Sequence, residues 1–171
     1  MKEKVRILGI DPGYEIVGYC FIDVIANSIE LVEAGAIITE RSEKFSKRLL
    51  KIYNEISHLI EKYKPGEMAI ETLYFFKNSK TAIEVGEARG VILLAATMKE
   101  LDIFEYTPYQ VKIAVSGYGK ATKNQVQDMV KILLGLKEKP KPDDVADAAA
   151  VAICHANSRK TLLWGNEIDN S

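Results

Sequence analysis

Apolar residues fall in short runs near the N-terminus and at helical spacing farther along. Residues 5–10 are a β-branched apolar run that stops at Asp11-Pro12-Gly13, which predicts a buried strand ending in a turn. Residues 16–24 and 29–39 predict two more strands around the turn-forming Asn27-Ser28, and three strands so closely joined make an antiparallel meander. Phe45, Leu49, Ile52, Ile56, Leu59 and Ile60 then recur at helical spacing, with Ser42 as the expected N-cap and Pro65-Gly66 as the stop. Residues 68–72 read as a buried strand and 79–99 as a helix whose Gly86 and Gly90 mark close packing. A short strand at 103–106 and a short helix at 109–115 follow. Thr122-Lys123-Asn124-Gln125 carries a capping-box pattern that starts a helix running to about 134. Pro140-Lys141-Pro142 leads into a last helix from 143 to about 157. The order βββαβαβααα predicts one five-stranded mixed α/β sheet, a meander plus parallel crossover strands, with helices on both faces.

Composition adds bounds. The chain has 171 residues, 47% of them hydrophobic and 27% charged, which suits one domain with a real core. That domain is expected to span residues 1–158, with 159–171 as a flexible tail. Apolar runs stay under ten residues and the start is charged, so no membrane span, signal peptide or transit peptide is expected and the location is expected to be cytoplasmic. Cys20 and Cys154 each sit alone in apolar runs, which predicts buried thiols rather than a disulfide or a zinc site.

Charge changes the picture once it is divided. The formal net charge is -1, which argues against a nucleic-acid partner until it is cut at the prolines. Residues 1–107 then carry 14 basic and 17 acidic groups, 108–142 carry 7 and 2, and 143–171 carry 2 and 5. A strongly basic segment therefore precedes an acidic helix start. It reads equally as a solvated lysine face or as half of a site.

Several carboxylates interrupt apolar surroundings: Asp11 after Ile-Leu-Gly-Ile, Glu71 after Met-Ala-Ile, and Asp144 and Asp147 before an alanine-rich run. Burying an ionised carboxylate costs several kcal/mol unless it is paired or metal-bound, so this placement asks for a cation. Asp11 and Glu71 end two strands that are expected to be parallel neighbours, on the edge where open sheets bind ligands. Asp144 and Asp147 lie three apart on one helical face, and Asp143, four from Asp147, competes with Asp144. Asp23, Glu15 and Glu67 read as exposed strand or turn residues. Taken singly, Asp11 is also a turn-former, and the helix aspartates also complement the helix dipole. Hard oxygen donors without suitably placed Cys or His favour Mg²⁺, with Mn²⁺ as substitute, and two such ions suit phosphodiester hydrolysis.

Gly9-Ile10-Asp11-Pro12-Gly13, Ala69-Ile70-Glu71, Gly86-Glu87-Ala88-Arg89-Gly90, Gln110-Val111-Lys112 and Asp144-Val145-Ala146-Asp147-Ala148 occur in that order, and the set resembles the RuvC family of Holliday junction resolvases. The resemblance implies a ribonuclease-H-like fold, a homodimer, and Mg²⁺-dependent paired nicking of four-way DNA junctions to 5′-phosphate and 3′-hydroxyl ends. It further implies that Asp11, Glu71, Asp144 and Asp147 are the four metal-binding catalytic positions, which selects Asp144 over Asp143. Tyr74 matches the family's base-stacking aromatic, with core or interface packing as the structural alternative for it and for Phe76. Lys112 and Lys123 match phosphate-contacting positions in the basic segment, and Lys77, Lys80, Arg89 and Lys120 are candidate extensions of that footprint. The helix at 79–99 is the expected dimer interface, and RuvA and RuvB, the branch-migration proteins, are the expected partners.

Three rivals stand beside this reading. An actin-like ATP phosphotransferase shares the opening Asp-x-Gly pattern but needs a second lobe. The others are a non-catalytic junction-binding protein and a related nuclease acting on structured RNA.

Overall fold

The computed structural model describes residues 4–73 and 79–168, with the backbone alone at Ser79 and 160–168. Five strands, β1 (Lys4–Asp11), β2 (Ile16–Ile25), β3 (Ser28–Ile38), β4 (Glu67–Glu71) and β5 (Asp102–Tyr106), form one sheet in the order β3-β2-β1-β4-β5. β1, β2 and β3 pair antiparallel, while β4 joins β1 and β5 joins β4 in parallel. Among the described residues five helices complete the fold: α1 (Phe45–Tyr63), α2 (Ser79–Met98), α3 (Pro108–Ser116), α4 (Lys123–Leu133) and α5 (Asp143–Ile168). The parallel pairs follow from the crossovers through α1 and α2, which return the chain to the same end of the sheet.

Alternation along the strands divides the core in two. Leu8, Ile10, Phe21, Met68 and Ile70 pack with Ile52, Ile56 and Ile92 under α1 and α2. Ile7, Cys20, Ile22 and Ala69 face the other way, onto α5, α3 and α4. Asp11 shares the parity of Ile7 and Gly9, and Glu71 that of Ala69, so both carboxylates belong to the α5 side.

α5 is buried on nearly all sides over Val145–Ala156 because it lies between the sheet and the α3–α4 pair, and alanines let it approach closely. The strands make room with glycine. A Cβ on Gly9 would overlap the Ala148 carbonyl and stand 2.7 Å from the Ala152 Cβ; one on Gly18 would overlap the Asp144 carbonyl. Close contact between helix and sheet thereby sets the height of the α5 N-terminus above the ends of β1 and β2.

Several expectations need correction. The N-cap of α1 is Lys44, without a side-chain cap bond, not Ser42; the helix stops at Lys64 in the left-handed conformation. α5 continues to Ile168, beyond the stop expected near 157 and through most of the expected tail, because no proline or glycine interrupts it before Gly165. Asp23 is buried, not exposed: Arg6 grips it in two hydrogen bonds of 2.7 and 2.9 Å, and Lys4 pairs with it at 2.7 Å. Both cysteines are buried free thiols, pushed up to about 12 at Cys20 and about 11 at Cys154 by burial.

Candidate active site

The parallel register Ile10↔Ile70 brings Asp11 and Glu71 side by side at the carboxyl ends of β1 and β4. They share a pocket of about 270 Å³ with Asp147, Lys112, Lys123 and the apolar Pro108, Val111, Val126 and Ala150. Five elements build it, β1 and β4 among them. α5 contributes Asp147 from its second turn, α3 contributes Lys112, and α4 begins at Lys123. Both basic helices open with a complete capping box, Thr107 with Gln110 and Thr122 with Gln125, so their first turns are held firmly around the pocket.

Asp144 stands one turn before Asp147 and lines an adjoining cleft with Gly13, Tyr14, Glu15, Ile16 and Val85. Its charge still reaches the pocket, for it helps raise both Asp11 and Asp147. The turn between β1 and β2 that links the two hollows is braced from below. The buried Arg48 donates to Thr39 Oγ1 at 2.8 Å and to the Tyr14 carbonyl at 3.0 Å, and Thr39 Oγ1 donates to that same carbonyl at 2.6 Å.

The electrostatics are those of crowded anions. Burial, reinforced by the charges of Asp147, Asp144 and Glu71, pushes the Asp11 carboxyl up to about 8. Burial and then Asp147 push Glu71 up to about 7, against the pull of Lys112 and Lys123. Burial also raises Asp147, opposed by Lys123, whose ammonium lies 3.0 Å from its Oδ2 and 3.5 Å from the exposed Asp143. Two lysines face four carboxylates, counting Asp144 of the adjoining cleft, which leaves the site short of positive charge.

The donors fit a divalent cation that prefers oxygen. They are partly desolvated carboxylates at two strand ends and on the second turn of α5, with no thiol or imidazole among the lining residues. Among the described residues no three such side chains are already gathered as a ligand set, so binding an ion would require them to rotate inward.

The other sequence candidates are dispersed. Lys120 is exposed in the loop before α4, and Lys80 is exposed in the first turn of α2. Arg89 donates to Glu105 at 2.7 Å between α2 and β5 and does not line the pocket. Tyr74 and Lys77, like Phe75 and Phe76, lie outside the described residues.

Sequence reasoning missed two polar devices. Arg48 falls four residues before Ile52 on the buried stripe of α1, a position that itself signals a buried guanidinium. His155, fully buried on α5, accepts from Tyr106 Oη at 2.7 Å and donates to Glu67 at 2.8 Å. The roles follow because the Glu67 carboxylate, also gripped by Arg159 at 2.8 Å, can only accept. Glu67 is thus a partner of α5 and not the exposed strand residue expected. A hollow of about 750 Å³ opens at the other end of the sheet beside Lys4, Arg6, Lys64, Glu67 and Arg159, where Arg6 and Arg159 are committed to Asp23 and Glu67.

The family model described as crossover junction endodeoxyribonuclease RuvC matches residues 7–155. Crossover junction endodeoxyribonuclease RuvC of Halothermothrix orenii is 54% identical over 162 residues, 94% of this chain and 98% of that protein. Its counterpart in Moorella thermoacetica is 56% identical over 151 residues, 88% of this chain and 90% of that protein. Among solved structures, Thermus thermophilus RuvC in complex with a Holliday junction substrate superposes with a TM-score of 0.87 at 33% identity, covering 92% of this chain and 96% of that one. The fold, the order of its elements and these likenesses agree throughout: the chain belongs to the RuvC family.

Proposed function

We infer that the protein is a structure-selective, metal-dependent endonuclease that resolves four-way DNA junctions by paired, symmetric phosphodiester hydrolysis, leaving 5′-phosphate and 3′-hydroxyl ends. The observation that carries the chemistry is the pocket where Asp11, Glu71 and Asp147 face Lys112 and Lys123. Phosphate is drawn in by the lysines, and the carboxylates ask for the ions that hydrolysis needs.

Asp11, Glu71, Asp144 and Asp147 would hold the metal, Mg²⁺ as two ions by preference, with Mn²⁺ as substitute. When bound, such ions lower the pKa of an attacking water and neutralise charge on the leaving 3′-oxygen. Lys112, half-buried on α3, would hold a non-bridging phosphate oxygen as negative charge develops there. Lys123 would pass from Asp147 to the phosphate once a cation takes over the aspartate. Lys120, Lys80 and Lys77 extend the basic footprint, with Tyr74 as the candidate for stacking at the junction centre. The Arg89–Glu105 pair favours a structural part for that arginine.

Paired nicks need two sites, and α2 supplies a surface for a homodimer. Ile83, Leu94 and Met98 are exposed along one stripe with Gly86 and Gly90, where an added Cβ would meet nothing. RuvA and RuvB as partners, and the cytoplasm as the place of work, extend the same reading. Among the described residues no helix is long and apolar enough to cross a membrane.

The test is incubation with a synthetic mobile four-way junction and Mg²⁺. Paired, symmetric nicks abolished by Asp11→Asn are expected. Metal-dependent binding without cleavage would support a junction-binding protein instead, and preferential cleavage of structured RNA a nuclease of that class.

A further inference from the structure

Beside the catalytic pocket lies a second surface that the chemistry above does not use. Tyr109 and Tyr118 are 62% and 58% exposed, and Ile113, one turn from Tyr109 on α3, is 42% exposed. Tyrosines so placed gain nothing for the core, which takes Val111 and Val115 from the other face of the same helix.

The Tyr109 ring is nevertheless not loose. A Cβ on Gly119 would overlap it, so the bare backbone of the loop covers one side of the ring and leaves the rest to solvent. The loop itself is tied at both ends. Gly117 N donates to the Ile113 carbonyl at 2.8 Å, and Ala121 N to the Tyr118 carbonyl at 3.0 Å. Ser116 Oγ donates to the Lys112 carbonyl at 2.7 Å. Tyr118 in turn walls a cleft of about 310 Å³ with Ser116, Ala121, Gln125, Asp128 and Met129.

Charge says what would cover this surface. Tyr109 sits between Pro108 and Lys112, both of which line the catalytic pocket, and Lys120 follows Tyr118 and Gly119 directly. Exposed aromatic rings, one of them backed by the loop, interleaved with lysines and continuous with a phosphodiesterase pocket, suit a nucleic-acid strand: lysines for its phosphates, rings for its sugars and bases. The geometry points to the Tyr109–Gly119–Tyr118 surface as a second DNA-contact site, which receives the sugar and base face of the strand running on from the scissile phosphate. It rests on the junction-nuclease reading and adds a positioning role for two side chains outside the carboxylate pocket.

The experiment measures junction affinity across a salt series, in an Asp11→Asn background with Mg²⁺ so that substrate survives. Tyr109→Ala is expected to weaken binding about tenfold with an unchanged salt slope, as loss of stacking requires. Lys112→Ala should lower the slope by about one. Tyr109→Phe should bind normally. Gly119→Ala, which keeps the tyrosine but displaces its ring, should fall between the two, with melting temperatures verifying that every variant is folded. Tyr109→Ala and Tyr118→Ala both within twofold of their parent would overturn the site. If the wild-type protein failed to cleave a junction at all, the enzymatic reading would fall first, so the two failures are distinguishable.

Discussion

A carboxyl group buried among three other carboxylates is a poor anion, and Asp11 is such a group, held up to about 8 against an ordinary value of 3.8. Folding therefore retains a proton that the unfolded chain gives up. Between those two values stability must fall as pH rises, and Glu71, raised to about 7 from 4.5, acts in the same direction. Asp23, pulled below its ordinary value by Arg6, gives the opposite slope, but at lower pH. Metal-free protein should thus melt at progressively lower temperature from pH 5 to pH 9. Asp11→Asn should flatten the trend, and a divalent cation should reverse it. A melting temperature that is level or rises over that window in the presence of a chelator would sink the account. His155 offers a second case, for its removal strands the Tyr106 hydroxyl and half of the Glu67 pairing in a closed interior. Urea unfolding of His155→Ala should show a loss of about 3 kcal/mol, and a loss under 1 would mean that water replaces the ring.

At the scale of elements, the relation between α5 and the sheet governs the site. Gly18 faces the Asp144 carbonyl with no space for a methyl group. Gly18→Ala should cost about 2 kcal/mol by overpacking and lower cleavage more than junction binding, since the lift falls on the helix end bearing Asp144 and Asp147. Equal retention of melting temperature and cleavage rate would refute it. The elements and their order were legible because period and turn chemistry agree along most of the chain. So was the pairing of β1 with β4 that sets Asp11 beside Glu71. Polar residues that satisfy one another across the interior were not. Asp23 and Glu67 look solvent-facing until Arg6, Arg159 and His155 arrive from 17, 92 and 88 residues away. The α1 N-cap was not legible because Ser42 offers the right side chain three residues before the backbone turns helical at Phe45.

For the molecule as a whole, the two faces of the sheet divide the labour. The α5 side carries the carboxylates, and the α1–α2 side carries an outward apolar stripe of Ile83, Leu94 and Met98. An exposed apolar stripe of that kind fits an interface, and a second copy is the partner proposed above for it. Leu94→Glu should shift sedimentation from dimer to monomer in a dilution series and turn paired nicks into single ones. A wild-type protein that sediments as monomer at all concentrations would remove the proposal.

The fully buried imidazole on α5 has one more use. The chain contains two histidines, and His155 stands eight residues, about 12 Å of helix, beyond Asp147, tied to β4 and β5 at once. Its ring protons are therefore a native spectroscopic gauge. Magnetic resonance on unmodified protein could follow how α5 settles as cations and DNA are added, with no label attached to the candidate site itself.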